Sequence, residues 1–234
     1  MLTVAGCGDD DSGSEGPSDE ESIVLEAAEQ TIQAGSAHLT IDYDGAFEGR
    51  MDLAADFTSD RARGTLRFTP LSPDAPQEVS GETYIDGPRT FMRFNDLEPS
   101  WIQASPGLGS TLENQPTALI ESLGAALDDV EIAERSGTEL GTPYSGTYDL
   151  TAVVERLPEE TREGAEEQLE ELDETAVPAL IVVGTDGFIR ELQFDIEFDE
   201  ALIRVGMVVD DVGKPVEIGP PPKNVVSDED ASGL

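Results

Sequence analysis

The chain has 234 residues, 38% of them hydrophobic, and sets 13 Lys and Arg against 51 Asp and Glu, a formal net charge of −38 at pH 7. That length buries a substantial core in one domain or two, and the pattern below reads as one. So acidic a surface repels phosphate and anionic headgroups, which excludes nucleic acid as a partner and membrane adsorption by charge alone.

The single cysteine, Cys7, makes no internal disulfide and has no neighbouring His or CxxC partner for metal or redox work. It closes the run Val4-Ala5-Gly6-Cys7, a branched aliphatic, two small residues and cysteine, which is the pattern of a bacterial lipobox. In that chemistry the thiol carries a diacylglyceryl group, and two acyl chains suffice for stable membrane retention. An export signal calls for a basic start and an apolar stretch of roughly 7 to 15 residues. Residues 1–7 are therefore expected to be the remnant of a lipoprotein signal whose beginning lies upstream.

Residues 8–17 continue as a purely polar, acidic run with no apolar side chain, expected to be a flexible tether about 18 Å in span. Its aspartates lack the spacing of a calcium loop. The body is expected over residues 18–224, with 225–234 as a disordered acidic tail.

Ser18 and Glu21 have capping-box spacing, and Ile23, Val24, Ala27, Ala28, Thr31 and Ile32 form an apolar stripe stopped by Gly35, so a helix is predicted here. The period then changes to two. Leu39, Ile41 and Tyr43 alternate with Thr40, Asp42 and Asp44, and Met51, Leu53, Ala55 and Phe57 repeat the pattern. ARGTLRFTP, QEVSGETYIDG, RTFMRFN and SWIQ follow as strands, the middle two joined by Gly87-Pro88. Short turns between alternating runs imply antiparallel hairpins.

A second helix is predicted from Pro116, with Leu119, Ile120, Leu123 and Leu127 on its apolar side. VEIAERSG and GTELGTPYSGTYDL read as a hairpin. A third helical stretch, roughly Leu150 to Leu172 with Pro158 restarting it, has a thin apolar side of Ala165, Leu169 and Leu172 and is expected on the rim. The last β run turns at Thr185-Asp186-Gly187. Leu192, Phe194, Ile196 and Phe198 then share one face, and Ile203, Val205, Met207 and Val209 one face of the next strand.

The fold class is thus α+β: a curled antiparallel sheet of about ten strands, three helices covering its apolar concave face, and no repeat. On pattern alone the space beneath the helices is either filled by side chains or open as a ligand cavity.

VAGC, ETYIDGPRTFMRF, YSGTYDLTAVV, GTDGFIRELQFDI and DVGKPVEIGPPP, in that order from Cys7 to Pro222, resemble the actinobacterial lipoproteins of the LppX/LprA/LprF/LprG family. That family is similar in turn to the LolA and LolB lipoprotein carriers. The resemblance implies a half-barrel closed by helices around an apolar pocket that takes acyl chains of a lipid or glycolipid and ferries them across the envelope. It also implies anchoring through acylated Cys7 on the extracytoplasmic face of the cell membrane, with an envelope transporter as a candidate partner. The acidity favours a neutral or glycosylated cargo.

The expected cavity wall is Ile41, Tyr43, Leu53, Phe57, Phe68, Tyr84, Met92, Phe94, Leu192, Phe194, Ile196 and Val205. Leu119, Leu123 and Leu127 are expected to close the lid, with Phe91 and Trp101 at the mouth. Which strand face is concave is not legible from the pattern, because an odd shift in register moves every side chain across the sheet.

No cofactor or metal is expected, and an enzyme is disfavoured. The chain has one histidine, His38, no G-x-S-x-G motif and no Gly-rich phosphate loop, and close carboxylate pairs are uninformative in so acidic a sequence. The alternative to a lipid carrier is a tethered, non-enzymatic sensing or scaffold module with a filled core.

Overall fold

A computed structural model describes residues 18–45, 48–69, 78–95, 100–104, 116–133, 139–157, 159–170, 172, 174–198 and 201–227. The tether, Cys7, Pro158 and residues 228–234 lie outside these residues.

Helix α1, Asp19–Gln33, starts as its sequence dictates. The Ser18 hydroxyl accepts from the Glu21 amide at 3.1 Å and the Glu21 carboxylate accepts from the Ser18 amide at 3.4 Å. At the other end Gly35 takes φ +84°, the left-handed conformation that turns the chain out of the helix.

Strands β1 (Ser36–Gly45), β2 (Glu48–Asp56), β3 (Arg61–Thr69), β4 (Val79–Asp86), β5 (Arg89–Phe94) and β6 (Trp101–Gln103) form one antiparallel meander. After α2 (Pro116–Ala126), β7 (Leu127–Ile132) and β8 (Thr142–Asp149) begin a second. Helices α3 (Leu150–Val154) and α4 (Glu159–Leu169) intervene before β9 (Ala176–Val183), β10 (Ile189–Phe198) and β11 (Ala201–Asp210) complete it. Eight residue pairs, from His38↔Asp210 to Gly45↔Ile203, zip β11 against β1 and merge both meanders. β12 (Val225–Ser227) adds to β6 in parallel. The result is one open twelve-stranded sheet with β12 and β7 at its two edges.

The sheet is therefore wider than the ten strands expected. The helical stretch expected from Leu150 splits into α3 and α4, and the tail expected from residue 225 begins with a paired strand.

Register fixes which side chains share a face. Leu66, Met51, Ile41, Met207, Leu192, Ile181 and Tyr144 stand opposite one another on seven consecutive strands, all buried. Their face joins Val24, Ala27 and Ala28 of α1 in one apolar cluster and is called the inner face below. The helices contact the β7–β10 side of it. Thr31 pins α1 there, its hydroxyl donating to Ala27 O at 2.7 Å and accepting from the Ile189 amide at 3.0 Å.

The outer face carries the charge. Arg204 gives Asp195 two bonds, 2.8 and 2.9 Å, and these hold the Asp195 carboxyl below the ordinary carboxylate range. Glu82 lies 2.7 Å from Arg93 and 3.6 Å from Arg63.

Across this outer face runs the segment after β11. The Gly213 amide donates to Ser36 O at 2.7 Å, the Ser36 hydroxyl donates to Lys214 O at 2.7 Å, the Tyr84 hydroxyl donates to Gly219 O at 2.9 Å, and the Trp101 amide donates to Asn224 O at 3.0 Å. It is a strap from β11 to the far edge.

Two outcomes follow. Tyr84→Phe removes the side-chain bond to Gly219 and is expected to lower stability by about 1 kcal/mol in thermal unfolding. A depressed carboxyl pKa stabilises the fold above the ordinary value, and that contribution is lost as pH falls through the folded value. The stability advantage of the unmodified chain over Asp195→Asn, measured by denaturant titration, is expected to be full at neutral pH and to shrink below about pH 4.

Candidate functional site

Burial along the inner face is graded. At the end where β1 starts, Ala37, Leu39, Ala55, Ala62, Ile189 and Val209 are sealed. At the opposite strand ends Phe68, Phe94, Ile196 and Ile203 are only partly buried, although they pack on the same cluster, and so is Met92, which shares the row of Leu39 and Leu53 near the β6 side. The apolar face is thus less covered at one end and toward β6. At that end Gly49 lets the Tyr43 and Phe68 rings close over its backbone, with centroids 6.2 Å apart; a Cβ on Gly49 would stand 2.5 Å from Phe68 Cδ1. A cavity of about 380 Å³ opens beside these rings, with Asp44, Glu48 and Arg67 on its charged rim.

Of the expected wall, Ile41, Tyr43, Leu53, Leu192, Phe194 and Val205 are buried on the inner face, as is Phe57 just beyond β2. Phe68, Phe94 and Ile196 lie partly buried at its less covered end, and Met92 partly buried in the row of Leu53. Leu39, Leu53 and Leu192 have 0% exposure, so side chains fill the space around them.

Phe194 stacks at 4.5 Å on Tyr148, whose hydroxyl bonds to Ser122 of α2. Burial pushes the Tyr148 phenol well above its ordinary pKa. Thr83, also fully buried on the inner face, has no hydrogen-bond partner for its hydroxyl among the described residues.

Three expectations are corrected by register. Tyr84 belongs to the outer face: it pairs with Arg63 and Phe91 while its neighbours Thr83 and Ile85 face inward. It is buried, but by packing outside the main cluster, where it bonds to the strap. Phe91 packs against it at 6.4 Å, and Trp101 lies under the Arg93 guanidinium at 5.1 Å, so both aromatics sit on the outer face instead of at a mouth. Leu127 opens β7 opposite Tyr148 and is not a lid residue, because the helix ends at Ala126. Leu119 and Leu123 do lie in α2, buried.

The signal for Tyr84 was present in the sequence. A two-residue turn at Gly87-Pro88 pairs Asp86 with Arg89, and counting back pairs Met92 with Thr83, which places Tyr84 across the sheet from Met92. Sequence reasoning also missed the groove between α1 and α2, about 480 Å³, lined by Ala28, Ile32, Ile120 and Gly124 with Glu29 and Glu121.

His38 is exposed on the outer face. Among the described residues no group of three or more His, Cys, Asp or Glu is placed to hold a metal ion, and no helix is long and apolar enough to cross a membrane.

No family model and no curated protein matches the chain. Solved structures do. LprF from Mycobacterium bovis is 15% identical, with a TM-score of 0.56 over 88% of this chain and 99% of that one. The lipoprotein LppX from Mycobacterium tuberculosis is 16% identical, with a TM-score of 0.53 over 86% of this chain and 100% of that one. The likeness read from the sequence is borne out as a shared fold.

A buried hydroxyl without a partner costs about 1 to 3 kcal/mol, and valine has nearly the shape of threonine. Thr83→Val is therefore expected to raise the thermal midpoint, and a lowered midpoint would show that the hydroxyl is satisfied.

Proposed function

We propose that the chain is an envelope lipoprotein that holds the acyl chains of a lipid or glycolipid against its inner face and carries them across the envelope. The observation that carries this reading is the continuous apolar inner face, incompletely covered at Phe68, Phe94, Ile196 and Ile203. The fold shared with LprF and LppX supports it.

On this reading the sheet is a half-barrel, the helices are its cover, and Cys7 carries the membrane anchor. Each methylene withdrawn from water contributes about 0.8 kcal/mol, offset by the contacts that loading displaces. Loading has to displace contacts, because the residues at the centre of the wall are already fully packed. The net charge of −38 disfavours phosphate-bearing headgroups and favours neutral or glycosylated ones. Any envelope transporter would receive the cargo from this inner face.

The full packing of Leu39, Leu53 and Leu192 favours a second reading, a tethered scaffold or sensing module with a filled core. Purification from the native bacterium, followed by solvent extraction and intact-protein mass spectrometry, separates the two. Co-purifying lipid, with a diacylglyceryl mass on Cys7, is expected for the carrier. Repeatedly lipid-free protein sinks it in favour of the scaffold.

A further inference from the structure

We propose that the acidic run Asp228-Glu229-Asp230, which follows β12 and lies outside the described residues, docks on the outer face at Arg61 and Arg89 and latches β12 to the sheet.

Register concentrates positive charge in one place. The outward positions of β3, β4 and β5 carry Arg61, Arg63, Arg67, Arg89 and Arg93 against two carboxylates, Glu82 and Asp86. Five of the thirteen basic residues thus share a patch with a surplus of three positive charges, on a chain whose net charge is −38. Each carboxylate serves two guanidiniums: Glu82 pairs with Arg63 and Arg93, and Asp86 with Arg61, at 2.8 Å, and with Arg89. The Asp86 side chain is 11% exposed, against 39% for Arg61 and 55% for Arg89, so the carboxylate lies beneath while both guanidiniums face solvent.

A free anion meets the net charge of the whole chain before it meets this patch, and is repelled. A covalently attached one does not have to approach through that field, and its effective concentration reaches millimolar. Of the two acidic runs, residues 8–17 precede α1, which packs on the inner face. Residues 228–230 instead leave β12, the edge strand beside β6. Ser227 pairs with Gln103 and Gln103 with Phe91, and β12 runs parallel to β6, so the chain beyond Ser227 heads toward the level of Thr90 and Arg89. β12 and β5 are two inter-strand steps apart, about 10 Å, which three extended residues span.

β12 has few bonds of its own. It is three residues long, pairs only with β6, and does so in parallel, the weaker arrangement per residue. Just before it, Asn224 O accepts from the Trp101 amide, so a latch on β12 also secures the far anchor of the strap.

The test is nuclear magnetic resonance on the full chain between about 10 mM and about 1 M salt, over which the Debye length falls from about 30 to about 3 Å. At low salt the combined variant Asp228→Asn, Glu229→Gln, Asp230→Asn is expected to shift the Arg61 and Arg89 Nε–H resonances, leave that of Arg204 in place, and speed amide hydrogen exchange in β12 about fivefold. At high salt the difference between the two chains is expected to vanish. Arg89→Gln is expected to reproduce the faster exchange with the acidic run intact. Arginine resonances and β12 exchange that ignore the neutralised run overturn the latch. A response to neutralising Asp9, Asp10 and Asp11 instead overturns it in favour of the other acidic run, and a response that grows with protein concentration overturns it in favour of a second copy.

Discussion

The pairing of β1 with β11 is the contact on which the remaining architecture depends. Each meander alone would leave a long unpaired edge in water, a liability for soluble sheets. Joined, they place residues about 170 positions apart in one ladder and carry the row from Leu66 to Tyr144 across both halves. The inner face is continuous only because that seam is in register. A one-residue slip would turn Leu39, Ile41 and Tyr43 outward and break the apolar surface in two. Ladders of such sequence separation form late and slowly, after the local hairpins.

Local signals in the sequence were legible where one principle acts alone. The capping box at Ser18, the stop at Gly35 and the alternation in β1 and β2 appear where the residues dictate. Reading failed where two faces were both apolar. In Thr83-Tyr84-Ile85 all three residues are buried, so alternation gave no answer, and only the turn count at Gly87-Pro88 resolves it. Leu127 failed for a different reason: its helical spacing continues from Leu123, but pairing with Tyr148 overrides local preference and starts a strand. β12 was hidden because three residues show no period, and its partner β6 lies more than 120 positions away.

The candidate site was less legible than the fold. Residue type and alternation identified most of the inner face, but a face is not a cavity. Which parts of it reach solvent depends on how far the helices extend over the sheet, and they contact mainly the β7–β10 side. The grading from sealed Leu39 to partly buried Phe68 and Phe94 is a tertiary fact with no counterpart in the alternation. The same holds for Gly124, which in the sequence is one more glycine among 23 and in the structure faces open space.

The strap over the outer face has a mechanical consequence. Between its bond to Ser36 and its bond to Trp101 it passes β1 to β6, and its stretch from Gly213 to Asn224 includes three consecutive prolines, Pro220, Pro221 and Pro222. Five inter-strand steps from β1 to β6 measure about 24 Å at roughly 4.8 Å each, and eleven residue steps at the polyproline rise reach about 34 Å. The segment is therefore a tether across the outer face: it tolerates moderate bending of the sheet, but β6 cannot part from β1 by more than its reach while both bonds hold.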